Sequence, residues 1–329
     1  MVVPDKTAGC HLCPRNCGSP RTAERPGACG ACDGPAETGQ VRVARLMVHH
    51  WEEPFISGTQ GSGAVFFSGC NLRCCFCQNS SISHENQGTL LDRATLTRHV
   101  LRLHAAGVHN LNLVTPTHLA DRLPAWLAAL RLEPAWQSRP LPVVWNSSGY
   151  ETVESLRPLE GLVQIYLPDL KYHDPGLSDE LAGADDYFAF AAKAIMEMHR
   201  QQPDPVWSKE GFLLSGLVVR HLVLPGHWRD SCRIIDFLAS RIPLKTPLSI
   251  MNQYTPQIKI SAITLPAVQK PQPSIKHPEL DRHLTTFEYR KVIDHALNSG
   301  FSQILGQERS AAGKIYTPEF SERFRPGLT

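Results

Sequence analysis

The stretch "SGCNLRCCFCQN" (68–79) places four cysteines, Cys70, Cys74, Cys75 and Cys77, within eight positions, directly after the apolar run "AVFFS" (64–68). The thiols therefore stand where a short strand gives way to a loop. The only C-x2-C pair is Cys74 with Cys77, and Cys70 precedes it at C-x3-C spacing. Cubane iron–sulfur clusters take four thiolates, often through a C-x2-C pair that reaches two irons of one cube. Consecutive side chains in extended backbone point to opposite faces, so Cys74 and its neighbour Cys75 do not both reach one cube. Cys75 is then the surplus thiol, expected to pack as a small hydrophobe. Ligation by Cys70, Cys74 and Cys77 leaves one iron without a protein ligand, and an open metal position marks reactivity more than structure. The competing reading is a structural iron–sulfur or zinc knuckle. Zinc would want a fourth ligand nearby, which His84 supplies unless it is merely a solvated loop residue.

Working outward, five more β-rich runs follow: "NLNLV" (110–114), "PVVWN" (142–146), "VQIYL" (163–167), "LVVRHLVL" (217–224) and "PLSIM" (247–251). Helical spacing fills the intervals at 92–107, 119–130, 187–201 and 229–241. In the first of these Leu96, Val100 and Leu103 recur at i, i+4 and i+7, and Gly107 stands at the end as a C-cap. Strands alternating with helices, and apolar on both faces, predict parallel βα units. The expected fold is α/β, a partial (βα)6 TIM-like barrel over 41–329, with a small cysteine-rich, metal-binding extension at 1–40. The stretch 266–278 holds four prolines and reads as a loop. Each run is followed by polar residues: "TPTH" (115–118), "SSGY" (147–150), "PDLKY" (168–172), "PGH" (225–227) and "NQY" (252–254). Any strand must end in polar loop residues, but strand C-termini of such barrels also share one mouth. A composite site at that rim is expected.

Composition narrows the function classes. The 329 residues carry 33 Lys+Arg and 31 Asp+Glu, a net charge of +2 with no block of like charge. That argues against a nucleic-acid or polyanion binder. No apolar stretch approaches the ~20 residues of a membrane span. The first residues, "MVVPDKTAGCHLC", show no signal core, which predicts a cytoplasmic protein. Nine of the ten cysteines fall at or before Cys77, leaving only Cys232 beyond. Local metal sites produce such lopsided usage, whereas a disulfide network spreads its cysteines.

The first 40 residues are rich in Cys, Gly, Pro and charge and cannot build a core alone. Cys10–Cys13 and Cys29–Cys32 are two C-x2-C knuckles with 15 residues between them, and Cys17 lies in the interval. The knuckles fit a tetrahedral zinc site, and five cysteines also allow a second iron–sulfur cluster. Other candidates are weaker. "GTQGSG" (58–63) reads as a turn before the first strand rather than a phosphate cradle, because no helix opens after it. His49, His50, Glu52 and Glu53 read as polar positions on the approach to the barrel more than as metal ligands. Arg220 lies inside a β run, where an inward charge needs a partner: either substrate or Asp169.

The spacing Cys70-x3-Cys74-x-Phe76-Cys77 resembles the C-x3-C-x-aromatic-C signature of the radical S-adenosylmethionine (radical SAM) superfamily. The stretches "EEPFISGTQGSGAVFFSGCNLRCCFCQN", "NLNLVTPTH", "NSSGYE", "IYLPDLKY", "VVRHLVLPG" and "MNQY" together resemble its pyruvate formate-lyase-activating-enzyme-like branch. In particular they resemble members that begin with an extra cysteine-rich segment, over most of the chain from Cys10 to about Gly300. The resemblance implies a [4Fe-4S] cluster on Cys70, Cys74 and Cys77 whose open iron chelates the methionine part of SAM. It implies Phe76 near the adenine, Thr115 and Thr117 near the methionyl end, and Asn146 and Ser148 near the ribose or carboxylate. It also implies that Asp169 holds a cation or the cofactor while Lys171 faces substrate. "TPTH" departs from the branch's glycine-glycine-glutamate motif, which leaves the methionyl amine without an assigned partner. The implied partners are a reductant such as flavodoxin or ferredoxin and a glycyl radical enzyme. Three function classes are therefore in play: an activase making a glycyl radical, a radical SAM enzyme modifying a small molecule or another protein residue, and a non-catalytic iron–sulfur or zinc module.

Overall fold

The computed structural model describes residues 9–34, 36–256 and 277–307. The expected loop at 266–278 falls outside them as far as residue 276. Eleven strands appear among the described residues: β1 (Val41–His49), β2 (Ser62–Phe67), β3 (Thr89–Leu91), β4 (Leu111–Val114), β5 (Val143–Ser147), β6 (Ile165–Pro168), β7 (Val206–Trp207), β8 (Leu213–Leu217), β9 (Val219–Leu222), β10 (Leu248–Met251) and β11 (Ile304–Gly306). The six strands expected from the sequence are β2, β4, β5, β6, β9 and β10. They form a mainly parallel α/β sheet. One parallel ladder runs β2-β4-β5-β6 and a second runs β9-β10-β11. The ladders join where Asp169 bridges Arg220, with the Leu170 amide donating to the Arg220 carbonyl at 2.8 Å.

The sequence reading missed the antiparallel parts. β1 pairs antiparallel with both β2 and β3, and β7 pairs antiparallel with β8. Arginines at positions 42 and 45 interrupt the apolar pattern of β1, so it does not read as a buried strand. The single run 217–224 is also divided. β8 pairs with β6 through Gly216 and Leu217, the Val218 amide still donates to Tyr166 O at 2.9 Å, and β9 continues beside β10.

Every residue of β2, β4, β5, β6 and β10 is buried. The two-residue period then sorts the side chains. Leu111, Leu113, Val143 and Trp145 join the main core beneath the helices. Val144, Ile165, Leu167 and Val218 form a separate cluster, as do Ala64, Phe66 and Val114. The helices are terminated as their sequences dictate. Asp92 caps Arg93–Ala105 by accepting from the Thr95 amide at 2.7 Å, worth about 1 kcal/mol, and Leu96 and Val100 face the core. Helices Tyr187–Gln201 and Trp228–Arg241 lie where expected, whereas the helix expected at 119–130 begins only at Leu123. A 3-10 turn at Thr117–Leu119 and Pro124 in the first helical turn explain the later start. Thr286–Asn298, with a capping box between Thr285 and Glu288, was not expected. No helix among the described residues is long and apolar enough to cross a membrane.

The cysteine-rich segment is docked on this sheet by guanidinium groups. Arg15 donates to the backbone carbonyls of Asn71 (2.7 Å), Leu72 (3.0 Å), Ala182 (2.7 Å) and Gly183. Asp33 is gripped by Arg21 at 3.0 Å and by Arg122 at 3.0 Å, and both arginines also reach Asp121. Arg122 is 1% exposed at its side chain, so this charged cluster is an interior one.

Candidate functional site

A cavity of about 1080 Å³ opens at the C-terminal ends of the parallel strands. Its wall includes Phe66 and Phe67 of β2 and Ile304, Leu305 and Gly306 of β11, so the first and last parallel strands face the same space. Cys70, Cys74 and Cys77 line it together with Phe76, Thr115, Asn146, Ser148, Asp169 and Lys171. Nine of the ten residues that the resemblance assigns to the cluster or to SAM meet at one cavity, Thr117 being the exception. Cys75 is buried but is not among the lining residues. Its amide donates to the Leu181 carbonyl at 2.9 Å, near the end of the helix Pro175–Ala182.

The cysteine loop holds its shape through its own backbone. The Gly69 amide donates to Ile82 O at 2.8 Å, the Cys70 amide to Cys29 O at 3.0 Å, and the Cys77 amide back to Cys74 O at 3.1 Å. Gly69 has φ +91°, and a Cβ there would lie 2.7 Å from Cys29 O, so only glycine fits where the loop passes the N-terminal segment. Burial pushes the Cys74 thiol up to about 12 and raises that of Cys77. Lys171 opposes both rises, and the Ser83 hydroxyl, which donates to Cys77 Sγ at 3.2 Å, opposes the second. A thiophilic metal bound here would have to displace protons from these buried thiols, and the nearby lysine would offset the charge that results. His84, expected to be solvated if it is not a ligand, is instead packed inward. Its Nδ1 lies 3.0 Å from Ser83 Oγ, and burial lowers its pKa.

The cavity floor is a buried charge network. Asp169 accepts from Arg220 Nε at 2.8 Å and from Lys171 Nζ at 2.6 Å. Arg220 also reaches Glu52 at 3.2 Å and donates to Asn146 Oδ1 at 2.6 Å. Of the two partners the sequence allowed Arg220, the structure provides Asp169. It adds Glu52, which the sequence placed merely on the approach to the barrel. Asn112 and Asn146 both donate to Glu52 Oε1, at 3.0 and 3.2 Å. Glu53 is likewise buried, and its Oε2 has no hydrogen-bond partner. Burial raises the pKa of both glutamates, opposed by Arg220. Burial also raises Asp169, but Arg220 and Lys171 outweigh it and leave the pKa below its ordinary value. The signal for this floor was present in the adjacent acids of "EEPF", but nothing local says that they turn inward.

Thr117 does not join the cavity. Its hydroxyl donates to Glu151 at 3.0 Å, which also accepts from Trp145 Nε1 and Ser147 Oγ, each at 2.8 Å. That buried knot ties the loops after β4 and β5 and leaves Thr115, at φ +59°, facing the cavity. A non-glycine residue held there is strained, as site residues often are.

The fit to a metal cluster and a polar ligand is testable on side chains that lack partners. Ser148 Oγ, Asn79 Oδ1 and Glu53 Oε2 are buried without hydrogen bonds, and all three residues line the cavity. Tyr172 Oη is buried against the Cys74 thiol. Three thiols at one end and several orphaned polar atoms around the wall suit a thiophilic metal group with a polar molecule beside it.

In the N-terminal segment Cys10 and Cys17 lie close to Cys13. Burial, reinforced by Cys10 and Cys17, pushes Cys13 up to about 11. Cys29 is pushed by burial to about 12, with Arg21 opposing and Cys13 and Cys10 adding. The Cys32 sulfur instead accepts from Asn86 at 3.5 Å and Arg42 at 3.8 Å.

No family model matches the chain. The chain is 26% identical over 295 residues to the uncharacterized protein MJ0674 of Methanocaldococcus jannaschii, an alignment covering 87% of this chain and 74% of that protein. Among solved structures it is similar to Streptococcus suis SuiB (TM-score 0.46, 12% identity, 79% of this chain and 52% of that one). It is also similar to SuiB bound to the precursor peptide SuiA (TM-score 0.45, 9% identity, 73% and 46%). The chain spans about half the length of these structures.

Proposed function

We propose that this protein is a radical SAM enzyme of the pyruvate formate-lyase-activating-enzyme-like kind, built on a partial (βα)6 barrel. The observation that carries the reading is the convergence of Cys70, Cys74 and Cys77 with Phe76, Thr115, Asn146, Ser148, Asp169 and Lys171 on one cavity at the strand C-termini. Cys70, Cys74 and Cys77 would hold three irons of a [4Fe-4S] cluster, leaving the fourth to SAM. When bound, the reduced cluster and SAM supply a 5′-deoxyadenosyl radical that takes a hydrogen atom from substrate.

The chain's own residues then bind, orient and exclude water. Phe76, packed edge-on against Tyr172 and Tyr254 at 6.5 and 5.9 Å between ring centres, offers a rigid apolar surface for an adenine. Ser148 Oγ, free of protein partners, is placed to bond a ribose hydroxyl or carboxylate. Asp169 stays ionised between Arg220 and Lys171 and so fixes both cations at the cavity wall. The buried apolar lining residues Phe66, Leu72, Phe76 and Ile82 would limit water around a radical. A protein residue on a glycyl radical enzyme is the proposed target, with a flavodoxin or ferredoxin as the reductant. The N-terminal thiols are proposed to hold zinc or a second iron–sulfur cluster.

The test is anaerobic reconstitution with iron and sulfide, reduction, and assay of 5′-deoxyadenosine from SAM. Formation of that product, lost in Cys70→Ala, is the expected result. A fully loaded, reduced protein that leaves SAM intact would return the cysteines to a non-catalytic role. A radical signal on an added glycyl radical enzyme, seen by electron paramagnetic resonance, distinguishes activation from modification of another substrate.

A further inference from the structure

A second group of metal-ligating side chains lies outside the cavity. His227 precedes the helix Trp228–Arg241, His277 and Glu279 lie where the described chain resumes, and Glu180 sits on the helix Pro175–Ala182. None of the four lines the cavity. Glu279 Oε1 is 3.0 Å from His227 Nε2 and 2.7 Å from His277 Nδ1, and the three ligand atoms lie within 4.8 Å of one another. Behind this group, the other ring nitrogen of His277, Nε2, is 2.5 Å from Glu180 Oε2.

We propose that His227, His277 and Glu279 bind a divalent transition-metal ion of the zinc type, with Glu180 orienting His277 from behind. Bonds of ~2.0–2.2 Å around a tetrahedral zinc place neighbouring ligand atoms about 3.3 Å apart, close to the spacings here. A cation at the centre re-sorts these contacts. The Nδ1 lone pair of His277 goes to the metal, and its Nε2–H goes to Glu180, the carboxylate–histidine–metal arrangement that fixes ring orientation. The backbone is shaped for the approach: Gly226 has φ +83°, and a Cβ there would come within 2.7 Å of Glu279 Cγ. Imidazole and carboxylate ligands suit zinc over calcium or magnesium. Partial exposure of His227 and Glu279 leaves the fourth position to water. Such an ion would tie the loop after β9 to the segment that returns at residue 277.

The test uses the full chain with its cysteine sites first loaded with iron and sulfide, titrated with Co2+ and then challenged with Zn2+. One equivalent of Co2+ is expected, with ligand-field absorption, without the charge-transfer band of a thiolate, and displaced by Zn2+. His227→Ala combined with His277→Ala should abolish that equivalent without changing iron content. Glu180→Gln, at a half-exposed position, should weaken it by about 10- to 100-fold. Failure of the wild-type chain to bind, a thiolate spectrum, or equal affinity in Glu180→Gln and wild type would each overturn the site.

Discussion

The two groups of cysteines touch through the backbone yet face different surroundings. The Cys70 amide bonds the Cys29 carbonyl at 3.0 Å. On one side of that bond, the thiols of Cys70, Cys74 and Cys77 open onto a large cavity with a lysine beside them. On the other, Cys10, Cys13, Cys17 and Cys29 line no part of it and are fenced by Arg15, Arg21 and Arg122. A metal group in the first place has room for a ligand the protein does not supply. One in the second would have no such cavity beside it, with Cys13 and Cys29 buried and Cys17 exposed. The same residue type thus meets opposite surroundings in the two places.

The largest expected effect breaks the comparison at the cavity. Cys74→Ala should lose the cluster there and reduce 5′-deoxyadenosine formation to background. Cys13→Ala should lower total metal while leaving SAM cleavage within a few-fold of wild type. Metal analysis paired with product assay reads both, and cleavage lost in Cys13→Ala with the cavity cluster intact would place the segment on the electron path instead.

A smaller effect tests the docking. Arg122→Ala leaves the buried Asp33 with Arg21 alone and removes the bonds from Arg122 to Gln40 O and Gly34 O. Stripping one partner from a buried ion pair costs about 3–5 kcal/mol, and the surviving Arg21 puts this case at the lower end. Denaturant unfolding should show that loss, and a change under about 1 kcal/mol would mean that the clamp is not what holds the segment.

Acidity sharpens the comparison further. Cys13 and Cys74 have thiols pushed by burial to about 11 and about 12, so both are protonated at neutral pH. Each must release a proton to bind metal. Apparent affinity should therefore rise by up to about tenfold per pH unit for each proton released, and fall as pH is lowered, throughout the range below those values. Competition with a chelator between neutral and mildly alkaline pH measures it. A site that loads equally well at both ends is not using these thiols.

Much of the fold was legible because buried parallel strands announce themselves. The "VVW" of 143–145 or "IYL" of 165–167 needs apolar neighbours on both faces. The antiparallel β1 was not legible, because Arg42 and Arg45 give it a mixed face whose partner lies elsewhere in the chain. The cavity's cysteine rim was legible from spacing alone. Its floor was not: Glu52 acquires meaning only from Arg220, 168 positions away, and Thr117 was misplaced because the sequence does not reveal the pull of Glu151. Local pattern reports which side chains leave a strand end, and tertiary pairing decides which of them stay available.

The smallest expected effect falls on the residue between the two groups in behaviour. Cys75 is as buried as the cavity thiols, with a pKa pushed by burial to about 12, but it faces neither the cavity nor the segment. Its backbone amide, bonded to Leu181 O, survives any side-chain change. Cys75→Ala should then cost about 1 kcal/mol, the price of a lost buried sulfur, while iron content and 5′-deoxyadenosine formation stay within about twofold of wild type. Side-by-side iron analysis of Cys74→Ala and Cys75→Ala makes the contrast, because the two substitutions remove the same atom from adjacent positions. Loss of iron in both would mean that the loop rearranges on loading and that adjacency in the chain outweighs the direction in which each side chain points.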